Sequence, residues 1–246
     1  MRGTYADHTF GGSRKFNLER GQVQSVGAIM DHSRGRKHID ATLPIPVVSI
    51  GIPVNREAVY SVDSDFEGMA RNMLDKAYAL GHRHILLTGL VAPAFVDGSN
   101  FIVRIAESIR DYCEELGIEL TVGFTARDTM ADIRLMLDEA FAADPKISLA
   151  IVESSASTAS PLTMGLTERG LRVPEDVSLM VCAAAGNPSM AGRLRPDEMP
   201  MNPNATCRRA VEVMVEVLSG KPYPKGSVEF TPVEYRARGT LVPYKK

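Results

Sequence analysis

Cysteine is scarce in this sequence: three residues in 246, standing far apart at Cys113, Cys182 and Cys207. The odd number and the lack of metal-ligand spacing exclude a disulfide framework and a structural zinc site. Each falls where an apolar residue would suit a helix or strand, so buried free thiols are expected. A large excess of charge of one sign is also missing. Lys and Arg number 28 against 30 Asp and Glu, a net charge of -2. A surface that grips nucleic-acid phosphates is basic, so no direct DNA binding by this chain alone is expected. No apolar run approaches the ~20 residues that span a bilayer, so no membrane partner is expected. Residues 1–19 are polar and Gly-rich and hold no apolar segment of a secretory signal. A cytoplasmic location is the resulting expectation. Neither a Walker phosphate loop nor a G-x-S-x-G elbow occurs. A catalytic triad would need a histidine at a strand end, where only His32 stands. The chain is therefore expected to be no enzyme, with no catalytic residue, metal or cofactor. No repeat of fixed period and no low-complexity linker interrupts it.

What is present suits one large domain or two modest lobes. Apolar residues make up 44% and charged residues 24%, enough for a core that needs no staple. Residues 1–20 lack any period of two or 3.6 and read as coil. Apolar strand-like runs then alternate with helical stripes. Strands are expected at 26–30, 46–50, 60–62, 85–87, 120–122, 147–152, 177–182 and 228–230. Helices are expected at 65–80, 102–116, 130–141, 161–169 and 210–218, the first capped by Asp65 and stopped by Gly81. Continuous apolar strands joined through helices imply parallel sheets covered on both faces. The number of alternations favours two doubly wound lobes, whose ligands bind at the carboxyl ends of the strands.

Three phrases carry more information than periodicity. Tyr60-Ser61-Val62-Asp63-Ser64-Asp65 is followed, after a helix, by Leu80-Gly81-His82-Arg83-His84-Ile85. Arg169-Gly170-Leu171-Arg172-Val173-Pro174-Glu175-Asp176-Val177-Ser178 precedes a strand. Tyr235-Arg236-Ala237-Arg238-Gly239-Thr240 lies near the end. Physically these read as scaffold. Gly81 terminates a helix, and His82, Arg83 and His84 place positive charge at its C-terminus. His82 and His84 lack a third ligand for a metal. Pro174 breaks a helix exit, and Glu175-Asp176 turn the chain into a buried strand.

In order and spacing the three phrases resemble the LacI/GalR transcription regulators, in particular their "LGHRRI", "GLRVPEDVS" and "LVVRGST" phrases, over residues 23–243. The resemblance implies an α/β, periplasmic-binding-protein-like type I fold, with two doubly wound parallel-sheet lobes joined by crossing segments. Residues 1–81 and 202–226 would form the first lobe, and 82–201 and 227–246 the second. It implies an effector-sensing and dimerising region, a homodimer, whose ligand-driven lobe closure controls a DNA-binding head. That head has no counterpart in residues 1–19. The strand, helix and further strand that the family shows before the run resembled by residues 26–30 also lack one, so the first lobe is expected to be incomplete. The effector would be a small molecule, a sugar or a less polar metabolite. A non-sensing truncated paralogue and a transporter's solute-binding protein are the alternatives.

The pocket departs from the family. An Asn-Asp pair falls at Ser155 and Ala156, the two aspartates of "GFDD" at Ala183 and Ala184, and a ligand-facing arginine at Ile105, next to Arg104. Each lost carboxylate removes a charge-assisted hydrogen bond of ~1.5–3 kcal/mol, so weak or absent sugar binding is expected. The polar groups left near strand ends as candidate ligand-binding residues are Asp31, His32, Asp65, Asn100, Arg104, Ser155, Asn187 and Asn202.

Overall fold

The computed structural model of the chain describes residues 13–20, 23–31, 44–90, 101–153, 158–184 and 195–245. Along the chain run β1 (Ser13–Arg20), β2 (Val23–Asp31), β3 (Val47–Ile50), β4 (Tyr60–Ser64), α1 (Phe66–Ala79), β5 (His84–Leu90), α2 (Phe101–Leu116), β6 (Glu119–Thr125), α3 (Met130–Ala143), β7 (Leu149–Glu153), α4 (Ala159–Glu168), β8 (Ser178–Ala184), β9 (Asp197–Met201), α5 (Pro203–Leu218) and β10 (Val228–Thr231). They form two five-stranded sheets, ordered β1-β2-β3-β4-β10 and β6-β5-β7-β8-β9. Every pairing is parallel except β1 with β2. The architecture is the two-sheet α/β fold expected from the alternation of apolar runs.

The second sheet shows why these residues form these elements. All five residues of β7 are buried, as a central parallel strand requires. On one face Leu86, Ala150, Val152, Leu179 and Val181 pack against Ile133, Met136 and Leu137 of α3 and Leu162 and Leu166 of α4. The alternate residues Ile85, Leu87, Leu149 and Ile151 are equally buried on the other face. Helix α2 buries Ile102, Ile105, Ala106, Ile109 and Cys113, a single stripe at helical spacing. Thr129 caps α3 by accepting from the Asp132 amide. In the first sheet Ile29, Val48 and Val62 pack against Ala210, Val213 and Met214 of α5. The Arg209 guanidinium on α5 holds Glu229 of β10, whose carboxylate accepts the Tyr60 hydroxyl at 2.8 Å.

Four sequence expectations change. Residues 13–20 form β1, antiparallel to β2, where coil was expected: backbone pairing to a neighbouring strand needs no apolar period. β9 pairs with β8 although Asp197, Glu198 and Pro200 hide its strand character. Cys207 is exposed, whereas Cys113 and Cys182 are buried. His82 is not a charged helix-end residue. It is buried, with Nε2 2.9 Å from the Val242 carbonyl and Nδ1 2.9 Å from Ser148 Oγ. A carbonyl only accepts, so Nε2 carries the proton and Nδ1 accepts from the serine. Burial pushes His82 below the ordinary histidine range, only partly offset by the Val242 bond, and Arg83 adds to the lowering.

By contacts the chain falls into two compact units. The first gathers the described residues up to Asp65 with Asn202–Thr231. The second gathers those from Phe66 to Met201, Phe101 apart, with the stretch from Pro232 onward. The sequence-based partition carried the first lobe to residue 81. By contacts α1 groups with the second unit, where Met73 sets its sulfur 3.5 Å from Cys182 Sγ on β8. Among the described residues of the first unit, α5 is the one α-helix, and it packs on β2, β3 and β4.

The C-terminal stretch is fastened to the second unit through Asp197. Its Oδ1 accepts the Arg238, Gly239 and Thr240 amides at 2.7, 2.6 and 2.9 Å, and its other oxygen accepts the Tyr235 hydroxyl. Burial works to raise this carboxyl, but the tyrosine and the three amides together hold it below the usual aspartate range. Among the described residues no helix is long and apolar enough to cross a membrane.

Helices α3 and α4 meet where Gly165 has no side chain. A Cβ there would stand 2.8 Å from Leu137 Cδ1 and 3.0 Å from Ile133 Cγ2, and both of those side chains are fully buried. Gly165→Ala is therefore expected to destabilise the protein by ~1–3 kcal/mol through overpacking. Urea denaturation should show a lower midpoint at an unchanged slope. An unchanged midpoint would mean that the two helices separate without cost.

Candidate functional site

In doubly wound sheets the helices leave the strands at their carboxyl ends, and ligands bind at that edge. In the first unit this edge carries Asp31, which ends β2, Ile50, Ser64 and Thr231. Asp65 follows β4 directly, and its amide donates to the Thr231 carbonyl at 3.0 Å. The Thr231 hydroxyl lies 2.8 Å from that of Thr206 and 3.1 Å from the Asp63 carbonyl. Thr206 stands one turn after Asn202, whose Oδ1 caps α5 by accepting the Ala205 amide at 3.1 Å. Asp65 and Asn202, distant in sequence, are thus brought to one edge by the Thr231–Thr206 pair. Asn202 spends one acceptor on the helix, and its amide nitrogen remains on an exposed residue.

In the second unit the same edge is formed by Leu90, Thr125, Glu153, Ala184 and Met201. Arg104 lies in the first turn of α2, with its guanidinium 4.9 Å from the ring centre of Phe66, the first residue of α1. That stacking is a cation–π contact. Of the other candidate residues, His32, Asn100, Ser155 and Asn187 lie outside the described residues, as does Ala156. Ala183 and Ala184 close β8, where the resemblance implies aspartates.

The residues that sequence reasoning missed are Thr206, Thr231 and Glu153. The threonines read as ordinary helix and strand residues. Glu153 had a signal: it is the acid that ends the otherwise apolar strand Leu149–Glu153. It is fully buried, and neither carboxyl oxygen has a hydrogen-bond partner. Burial pushes its carboxyl up from 4.5 to about 9, so it is a neutral acid at pH 7. Burial raises the thiol of Cys182, its neighbour on β8, and Glu153 raises it further. Gly89 faces it on β5, and a Cβ there would stand 2.7 Å from the Glu153 carbonyl. Among the described residues no group of His, Cys, Asp and Glu side chains is arranged to hold a metal ion.

The sequence pattern of the periplasmic binding protein-like domain family matches residues 74–241. No curated protein matches the chain in sequence. Several solved structures share its fold. A LacI family transcriptional regulator from Bifidobacterium animalis subsp. lactis is 16% identical, with a TM-score of 0.70, and the match covers 88% of this chain and 78% of that one. A LacI family regulator from Arthrobacter sp. FB24 in complex with lactose is 18% identical, with a TM-score of 0.61, covering 80% and 71%. The transcriptional regulator CelR in complex with cellobiose is 19% identical, with a TM-score of 0.61, covering 87% and 65%.

The state of Glu153 makes stability depend on pH in a defined direction. The unfolded chain loses this proton above ~4.5, while the folded chain keeps it to about 9. Between those values the folded state binds one proton more, so stability falls as pH rises. The slope from this group is at most ~1.4 kcal/mol per pH unit. Glu153→Gln should remove that slope, leaving the variant more stable than wild type at pH 8 and closer to it at pH 5. Chemical denaturation of both proteins from pH 5 to 8 reads the difference, and parallel curves would show that Glu153 is ionised when folded.

Proposed function

Because the chain belongs to the periplasmic binding protein-like domain family, we propose that it is the small-molecule-sensing part of a LacI-type transcription regulator. The observation that carries this reading is the topology. Two parallel sheets share one chain that passes between their units after Asp65, Met201 and Thr231. The same fold occurs in LacI family regulators, one of them solved with lactose, and in the transcriptional regulator CelR, solved with cellobiose. A ligand that bound a closed arrangement of the two lobes better than an open one would shift their populations. That shift would be transmitted to a DNA-binding head module, within a homodimer in the cytoplasm. A solute-binding protein of a transporter is the second reading, and the LacI family regulators that share the fold favour the first. A non-sensing paralogue is the third, and the alanines at 183 and 184 support it.

The polar groups of the site are proposed to be those at the two strand edges: Asp31, Asp65 and Asn202 on the first unit, and Arg104 on the second. His32, Asn100, Ser155 and Asn187 complete the proposed set from sequence. With Ala183 and Ala184 supplying no acid, neutral sugars lose charge-assisted bonds comparable in sum with the ~8 kcal/mol of a micromolar complex.

Two measurements check the reading. Calorimetric titration with lactose and cellobiose is expected to give dissociation constants weaker than ~1 mM; micromolar binding would show that other side chains replace the lost carboxylates. Gel shifts of the chain with its own upstream DNA at ~100 mM salt are expected to give no sequence-specific complex. Tight specific binding would place DNA recognition within these 246 residues.

A further inference from the structure

Buried polar groups without partners are rare in native proteins, and each one calls for a reason. Among the described residues two side chains fall in this class, Ser61 and Glu153. The glutamate is the harder to explain, because a carboxyl loses more hydration than a hydroxyl on burial. If its role were purely structural, a glutamine or a methionine would fill the place at less cost.

Its location supplies a reason. Glu153 ends β7, the middle strand of the second sheet, between β5 and β8. It therefore stands on the edge at which such sheets bind ligands. Its neighbours across the sheet offer it nothing: Gly89 on β5 has no side chain, and Cys182 on β8 turns its sulfur to Met73 of α1. Burial is what raises the carboxyl, and among the described residues no lysine, arginine or histidine lowers it. Glu153 in turn raises the thiol of Cys182 beside it, after burial has done so. The described end of β8 adds no second acid, since it closes on Ala183 and Ala184. What this carboxyl lacks is a positive hydrogen-bond donor, and none of the described residues provides one.

We propose that the carboxyl of Glu153 receives the protonated amine of a cationic small-molecule effector. The proposal rests on the reading that this chain senses a small molecule, and it names the chemical class. A desolvated carboxylate and a desolvated ammonium form a charge-assisted hydrogen bond, stronger than a bond between neutral groups. The exchange balances simply. The neutral acid gives its proton to solvent as the ammonium arrives, the ligand keeps its own proton, and one proton is released per molecule bound near pH 7. A neutral sugar would release none.

The test uses the whole chain and three sets of probes at up to ~10 mM, a range suited to millimolar affinities. Glucosamine and 1,4-diaminobutane carry amines, N-acetylglucosamine is the neutral control for the first, and glucose, lactose and cellobiose are neutral sugars. Thermal shift and calorimetry are run on wild type, Glu153→Gln and Glu153→Ala, each first checked for its fold by circular dichroism. Titrations in two buffers of different ionisation heat count the protons released. The expected result is that an amine probe stabilises wild type and releases about one proton, and that either variant binds it at least ~10-fold more weakly. Amine binding that survives both substitutions overturns the proposal. Neutral sugars binding wild type and variants alike, with amines inert, would leave the sensing reading standing and sink the role of Glu153. If no probe binds wild type, the amine proposal fails, while the sensing reading, which expects these sugars to bind more weakly than ~1 mM, stands.

Discussion

A parallel strand exposes two faces, and in water neither can be left bare. The structure follows from meeting that condition at β7, which is buried along its whole length. Its Ala150 and Val152 face α3 and α4, and its Leu149 and Ile151 are buried on the opposite side. Helices must therefore lie on both faces of the second sheet, which forces the alternation of strand and helix. It also places every helix start at the carboxyl edge of the strands. The same condition explains why α1 groups with the second unit although it directly follows a strand of the first. Its buried stripe of Met69, Met73 and Leu74 finds its partners there.

The conspicuous phrases of the sequence turn out to be fastenings. The Leu80–His84 region closes α1 and sends His82 into the interior, where Ser148 and Val242 hold the neutral ring. In the Arg172–Asp176 turn the guanidinium grips the carboxylate through two bonds, at 2.7 and 2.8 Å. Hydrogen bonding by that arginine side chain and by its own amide takes Asp176 down to about 2. The amides of Arg238, Gly239 and Thr240 cradle Asp197 and seat the last stretch of chain. Each fastening needs particular residues at particular places, which is why these phrases are distinctive. These three fastenings lie away from the carboxyl strand edges; of the conspicuous phrases, the Tyr60–Asp65 run reaches one, through Ser64 and Asp65. They identify the scaffold and leave the ligand open.

The strand edges obey different physics. Asp65, Thr231, Thr206 and Asn202 reach one another only because β4, β10 and α5 are adjacent in the first unit. They share no spacing that a linear reading could find. Glu153 is the opposite case. An acid ending a strand of four apolar residues stands out in the sequence, yet nothing there says whether it turns to water. Only the burial of β7 between β5 and β8 turns an ordinary surface acid into a neutral, unpartnered one.

The sequence by itself determined the fold class, the two-unit organisation and most of the elements. Apolar period and terminator residues act locally, and burial of one stripe or both faces leaves a direct mark in composition. It missed β1, which pairs with β2 without an apolar period in its sequence, and β9, where Asp197, Glu198 and Pro200 interrupt the buried Met199 and Met201. The tertiary structure alone decided that His82 is a neutral interior residue and that Cys207 is exposed. It alone joined α1 to the second unit and left Glu153 with no partner among its neighbours. These four depend on which atoms arrive from distant parts of the chain, and hydration, charge state and pairing are set by those arrivals rather than by sequence neighbours.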